Sequence, residues 1–170
     1  AGDLRRSLKK LRQEGFRFVY VLDSQEEIDN AQIVRTRLWN NRRQDHGPFD
    51  IIGDIHGCYD ELTELLQKLG YGEDEEGFWS HPEGRKAAFL GDLCDRGPKN
   101  AAVLRLVMGM VRQGNGIAVP GNHDVKLIKY LRGKNVRQTY GLDLTVAELE
   151  AESEEFRGRV LEFLEGLVSH

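Results

Sequence analysis

Three short clusters constrain this chain more than anything else in it. They are Gly53-Asp54-Ile55-His56-Gly57, Gly91-Asp92-Leu93-Cys94-Asp95-Arg96-Gly97 and Gly121-Asn122-His123-Asp124. Each follows a short apolar run: FDIIG from Phe49, KAAFL from Lys86 and GIAV from Gly116. Such runs read as buried strands. Each cluster begins with glycine, where the backbone can turn sharply, and then presents carboxylate, amide or imidazole groups. Each is also followed by a helical pattern. Residues 59–69 carry Leu62, Leu65, Leu66 and Leu69 on one face, Pro98 opens a helix with Val103, Leu106, Val107 and Met110, and a third helix runs through Leu127 and Leu131. Strand, loop and helix in succession predict an α/β fold with a largely parallel sheet and helices outside it. In such sheets ligands bind at the carboxyl ends of the strands. All three clusters fall there.

Taken singly, every member has an ordinary explanation. Asp54 can cap a helix, His56 can be a hydrogen-bonded loop histidine, Asp92 and Asp95 can be turn residues, and Arg96 can be a surface ion-pair partner. Three such clusters at three successive strand ends point instead to a metal-dependent phosphate site. Carboxylate, imidazole and amide oxygen suit Mn²⁺, Fe²⁺ or Zn²⁺, and the absence of thiolate ligands disfavours a structural zinc site. Asp54 and His56 stand two residues apart, on the same side of an extended segment, so they can grip one ion. Asp92 can bridge to a second, and Asn122 can bind that second ion through its side-chain oxygen. Two metals about 3.5–4 Å apart polarise a phosphoryl oxygen and supply a nucleophile for in-line attack. Arg96 can hold phosphate oxygens bidentately, and His123 can protonate the leaving oxygen or stabilise its charge.

The remaining sequence is less specific. Leu4, Leu8 and Leu11 predict an amphipathic helix over 3–14, FRFVYVL from Phe16 a strand, and Ser24 with Glu27 a capping box opening a short helix. Thr145 and Glu148 match the same box pattern, and a last helical stretch covers 156–168. Trp39 lies in an aperiodic segment ending at Gly47-Pro48, where it can pin the linker or stack on a base. Basic residues gather at Arg5–Arg12 and Arg35–Arg43, but the chain of 170 residues is acidic overall, with a net charge of -4. That balance argues against a dedicated nucleic-acid binder, though not against an enzyme acting on nucleic-acid ends. No apolar run can span a bilayer and no secretory h-region is present, so no membrane association and a cytoplasmic location are expected. Two cysteines, Cys58 and Cys94, make no disulfide framework.

GDIHG, GDLCDRG and GNHD resemble the GDxHG, GDxxDRG and GNHE/D signatures of the metallophosphoesterases. The branch is the one containing phosphoprotein phosphatases and diadenosine tetraphosphate hydrolases. The resemblance implies the front part of a calcineurin-like β-sandwich core flanked by helices, with a small N-terminal α/β appendage. It implies a dinuclear site in which Asp54 and His56 hold one metal, Asp92 bridges and Asn122 holds the other. Mn²⁺ is the expected ion, with Ni²⁺, Fe²⁺ or Zn²⁺ as alternatives. Arg96, Asn122 and His123 are then expected to contact substrate, with His123 paired to Asp95 or Asp124 near the leaving group.

Residues 33–59, IVRTRLWNNRRQDHGPFDIIGDIHGCY, resemble the junction and phosphatase start of bacterial polynucleotide kinase-phosphatases. On that resemblance residues 1–36 are the tail of a kinase-like domain, 37–48 a linker and 49–170 the N-terminal part of a metallophosphoesterase domain. It implies hydrolysis of 2′-phosphate, 2′,3′-cyclic phosphate and 3′-phosphate at RNA ends. The implied partners are RNA ends, kinase and ligase-like modules of a parent protein, and an RNA-repair methyltransferase. The family completes the second metal with two histidines from later loops. Beyond His123 this sequence offers His170 alone, so an incomplete second site and weak or absent turnover are expected. The alternatives are a dinucleoside polyphosphate hydrolase or a protein phosphatase of the same superfamily. From another class, the alternative is a non-catalytic module that binds a metal or a partner.

Overall fold

The computed structural model describes residues 19–35, 41 and 43–167. The expected helix over 3–14, the basic residues Arg5–Arg12, Arg37 and Arg42, Trp39 and His170 lie outside the described residues. The chain forms two compact units, residues 1–39 and 40–170. Within the described part of the first unit, helix α1 (Gln25–Asn30) starts as its sequence predicts. Ser24 Oγ accepts the Glu27 N–H at 3.2 Å, and the Glu27 carboxylate accepts the Ser24 N–H, also at 3.2 Å. Residues 19–22, the described portion of FRFVYVL, are not a strand, and Tyr20 is 84% exposed. An extended run becomes sheet only where a neighbour takes up its backbone groups, and no described residue pairs with it.

The second unit is built on three parallel strands, β1 (Phe49–Ile52), β4 (Lys86–Phe89) and β5 (Gly116–Ala118), in the order β1-β4-β5. Ile51 pairs with Ala88 and Ala88 with Ile117, so all three carboxyl ends lie level. Helices α2 (Tyr59–Lys68), α3 (Asn100–Arg112), α4 (Asn122–Leu131), α5 (Leu142–Glu150) and α6 (Glu154–Gly166) complete the unit, with a hairpin of β2 (Gly72–Glu73) and β3 (Trp79–Ser80).

Helix α3 is the hub. Val103, Leu104, Leu106, Val107 and Met110 are all buried, and they meet Phe89 of β4, Leu66 of α2, Leu149 of α5 and Val160 of α6 in one apolar cluster. In α2, Leu62 and Leu66 are buried while Leu65 is 39% exposed, so the burying stripe is narrower than four leucines suggested. Alternation along β1 buries Ile52 and turns Ile51 outward at 71% exposure. The central strand β4 is buried on both faces, at Ala87, Ala88 and Phe89.

Three local expectations change. Helix α3 begins at Asn100 rather than Pro98, with Lys99 as its N-cap. The hairpin escapes notice in the sequence because two-residue strands have no measurable period. It is turned by Asp74, whose Oδ1 accepts the Glu76 and Phe78 N–H groups at 3.0 and 2.8 Å. Thr145 and Glu148 do not form a capping box: α5 starts earlier, after Gly141 in a left-handed conformation (φ 89°). Thr145 therefore falls in the helix interior, fully buried.

At the amino end of the sheet, Asp50 is gripped by the Arg85 guanidinium, with Nε to Oδ2 at 2.9 Å and Nη2 on Oδ1. The Tyr71 hydroxyl donates to Asp50 Oδ2 at 2.9 Å. The Arg85 hydrogen bonds hold the Asp50 carboxyl below its ordinary range. Burial, followed by the Asp50 bond, pushes the Tyr71 hydroxyl well up.

Candidate metal and phosphate site

The three clusters meet because their backbones touch. The Ile55 and His56 N–H groups both donate to Asp92 O, at 3.2 and 2.9 Å, and Gly57 N–H donates to Leu93 O at 3.0 Å. Gly97 N–H returns to His56 O at 2.8 Å. Such lacing leaves no room for side chains. A Cβ on Gly91 would lie 2.8 Å from Pro120 C, and one on Gly97 would lie 2.7 Å from Gly57 C. Among the described residues, the non-glycine positions with positive φ are His56 (50°), Asp92 (47°), Asp95 (73°), Arg96 (69°) and Tyr140 (62°). Four of these five are proposed site residues, and backbone strain of this kind gathers where surroundings enforce it.

Packed this way, Asp54, His56 and Asp92 converge. His56 Nε2 lies 3.9 Å from Asp54 Oδ2 and 4.0 Å from Asp92 Oδ2. His56 Nδ1 is 2.9 Å from the Cys94 carbonyl, which can only accept, so Nδ1 carries the proton. Nε2 is left with a lone pair, buried and without a hydrogen-bond partner among the described residues. An unshared pair facing two carboxylates is what a cation ligand requires, with the carbonyl fixing the tautomer from behind. The donor set thus fits a divalent metal. One ligand atom each from His56, Asp92 and His123 also lie within 4.8 Å of one another. Asn122 stands at the first position of α4, its side chain exposed. The N–H of the next residue, His123, donates to Asp92 Oδ1 at 3.0 Å, tying the second and third clusters together.

The sequence left the partner of His123 open, and the geometry places Asp95 there. His123 Nδ1 lies 2.7 Å from Asp95 Oδ2. Asp124 turns away, its oxygens accepting from Leu93 N–H at 3.0 Å, Gly121 N–H at 2.8 Å and the Cys94 thiol at 3.6 Å. Asp124 therefore acts as a brace between clusters, not as the imidazole's partner. Burial pushes its carboxyl up, against the opposing pull of the Gly121 and Leu93 N–H bonds. Burial, then the neighbouring Asp124, pushes the Cys94 thiol well up too, which keeps it protonated. Arg96 Nη2 stands 3.4 Å from His123 Nε2. The two rings His56 and His123 meet edge to face at 4.8 Å.

His81 is engaged elsewhere: Nε2 faces Leu69 O at 3.2 Å and Nδ1 accepts the Glu83 N–H at 3.1 Å. Sequence reasoning missed three supporting residues, Asn100, Thr145 and Glu148. Asn100 Nδ2 donates to Gly97 O at 2.9 Å and to Glu148 Oε1 at 2.7 Å, and Glu148 Oε2 accepts the Ala101 N–H at 2.8 Å. The local signal at Thr145 and Glu148 pointed only to a helix start, because the helix that Glu148 caps is 47 residues away in sequence.

A fold of parallel strands with clustered acids, histidines and an arginine at their carboxyl ends matches the calcineurin-like phosphoesterase family model over residues 47–166. The chain belongs to that family, a family of phosphoester hydrolases. It is 56% identical over 113 residues to the asymmetrical bis(5′-nucleosyl)-tetraphosphatase PrpE of Halalkalibacterium halodurans, covering 66% of this chain and 46% of the relative. The Bacillus subtilis protein of that name is 51% identical over 114 residues, 67% of this chain and 46% of its own. Among solved structures, one provisionally identified as a diadenosine tetraphosphatase matches at a TM-score of 0.44 and 28% identity, over 67% of this chain and 41% of its own. The chain spans about half the length of the curated relatives it matches.

These relatives overturn the narrower resemblance. Proteins about half identical to this chain are named as tetraphosphatases, not polynucleotide kinase-phosphatases. The reading of RNA-end chemistry is set aside, and with it RNA ends, kinase and ligase-like modules and a repair methyltransferase as partners. The cause is plain in the sequence: the three motifs serve the whole superfamily, and the junction around residues 33–48 was too short to discriminate within it. No helix among the described residues is long and apolar enough to cross a membrane.

Proposed function

We propose that this chain carries the metal- and phosphate-binding part of a dinucleoside polyphosphate hydrolase, acting on bis(5′-nucleosyl) tetraphosphates. The observation that carries this reading is the 56% identity to an asymmetrical tetraphosphatase, joined to loops that bring His56, Asp92 and His123 together. In this reading Asp54, His56, Asp92 and Asn122 hold divalent cations. Bound there, the cations supply Lewis-acid activation of a phosphoryl centre and of water.

The remaining chemistry belongs to side chains. Arg96, exposed at the rim, offers its planar fork to non-bridging phosphate oxygens. Its Nη2 is 3.4 Å from His123 Nε2, so a phosphate held by Arg96 sits beside the imidazole. Asp95 accepts the His123 Nδ1 proton and keeps Nε2 directed at the substrate side. A proton on Nε2 makes the imidazolium that Asp95 stabilises, and transfer of that proton to the departing phosphate oxygen completes the cleavage.

The test is incubation of diadenosine tetraphosphate with the full chain and Mn²⁺, products resolved by chromatography. Asp92→Asn serves as control, and a 2′-phosphorylated RNA oligonucleotide as competing substrate. Asymmetric cleavage gives one nucleoside triphosphate and one monophosphate. Formation of that pair, absent in Asp92→Asn, is the expected result. Metal binding without hydrolysis of the tetraphosphate would favour a non-catalytic metal-binding module.

A further inference from the structure

We propose that Thr145 is a positioning residue for the Asp95–His123 pair, and that residues 141–148 clamp the Asp95-Arg96 turn in its strained form. The proposal rests on the phosphoesterase reading of the site given above. Asp95 and Arg96 are consecutive non-glycine residues in the left-handed region, at φ 73° and 69°. Each such residue costs about 1–3 kcal/mol and persists only where its surroundings over-determine it. Here the surroundings come from one short stretch around α5.

Thr145 Oγ1 donates to Asp95 Oδ1 at 2.6 Å and accepts the Asp95 N–H at 3.0 Å. Both residues are fully buried. A hydroxyl has one proton to give, and it goes to Oδ1. The other oxygen, Oδ2, is left to His123 Nδ1 at 2.7 Å. Each carboxylate oxygen thus has its own partner, and the carboxylate cannot rotate without breaking one of them. Before Thr145, Gly141 passes so close that a Cβ there would lie 2.6 Å from Arg96 Cα. After it, Glu148 holds the Asn100 amide, which in turn holds Gly97 O. Both ends of the turn are tied to the same segment, and the residues that hold it, Gly141, Thr145, Glu148 and Asn100, lie outside the three clusters.

Thr145→Val keeps the side-chain shape and removes both hydrogen bonds. The experiment is nuclear magnetic resonance on the full chain with ¹⁵N-labelled histidine, the His123 signals assigned by their loss in His123→Asn. The wild type is expected to show a deshielded, slowly exchanging Nδ1–H on His123. Thr145→Val is expected to lose that resonance and Thr145→Ser to keep it, each with a cooperative thermal transition. Where turnover is measurable, kcat falls about tenfold or more in Thr145→Val at unchanged KM, a partial loss of the roughly 10²–10⁴-fold that positioned proton transfer contributes. An unchanged Nδ1–H resonance in a folded Thr145→Val overturns the proposal, as does equal loss in Ser and Val. Should Thr145→Val not fold, Thr145→Ala against Thr145→Ser makes the same comparison. The resonance needs no turnover, so a chain that hydrolyses nothing refutes the proposed function alone. Hydrolysis with an unmoved resonance refutes the clamp alone.

Discussion

Gly121→Ala is the substitution that most directly tests whether backbone packing sets the site. Gly121 has φ -85° and ψ 179°, a conformation any residue adopts, so the objection to alanine is steric only. A Cβ there would overlap the Asp92 carboxylate, reaching 2.7 Å from its Cγ. Ordinary contact begins near 3.4 Å, and the Asp92 Oδ1 and backbone nitrogen lie nearer still to the added carbon, so the carboxylate and the backbone of Asp92 must both move, by more than about 0.7 Å. The His123 N–H to Asp92 Oδ1 bond, 3.0 Å in the wild type, would stretch beyond hydrogen-bonding distance. A hydrogen bond to a charged group contributes roughly 1.5–3 kcal/mol. At about 1.4 kcal/mol per tenfold, Mn²⁺ binding should weaken by roughly tenfold to a hundredfold. Isothermal titration with Mn²⁺ reads the affinity, and thermal melting confirms that the variant is folded. Wild-type affinity within twofold, with an unchanged melting temperature, would refute the reasoning, because Asp92 would then tolerate an atom where the structure has no room.

Other substitutions probe different links. Gly158→Ala lies in α6 with nothing within 4 Å of the added carbon, and should stabilise the protein by about 0.5–1 kcal/mol. A lower melting temperature would contradict the open environment. Glu148→Ala strips the N-terminus of α3 of a charged acceptor for Ala101 N–H and Asn100 Nδ2. It should cost about 1–3 kcal/mol in denaturant unfolding, and a neutral result would mean water replaces the cap. Asp50 has a depressed carboxyl, chiefly through Arg85. Its stabilising contribution is fully present above the unfolded Asp value of about 4 and is lost as pH falls through the lower folded value. The difference in melting temperature between wild type and Asp50→Asn should therefore shrink below about pH 4. A difference that stays constant from pH 6 to 3 would remove the Asp50–Arg85 pair from the acid response.

Phosphoesterase chemistry was legible because its residues are local. Asp54 with His56, Asp92 with Arg96, and Asn122 with His123 each sit in one turn after one apolar strand. Parallel order followed from the strand–helix alternation, and Ser24 with Glu27 announced α1 because both ends of that box lie within a single turn. Substrate class was not legible. The same clusters fit many phosphoesters, and sequence relatives, rather than motif chemistry, redirected the reading from RNA ends to dinucleoside tetraphosphates.

Tertiary structure alone decided the second layer. Thr145 and Glu148 read in sequence as a helix start, yet they serve the Asp95 turn and the cap of α3. Asp95 and Asp124 were equal candidates for His123 until packing aimed one at the ring and the other at backbone N–H groups. The physical reason is range. Strand periods, turn glycines and i to i+3 caps are set by neighbours along the chain, which the sequence displays. Which carboxylate meets which imidazole depends on backbones brought into contact across 28 or 50 residues, and that information exists only in the folded arrangement.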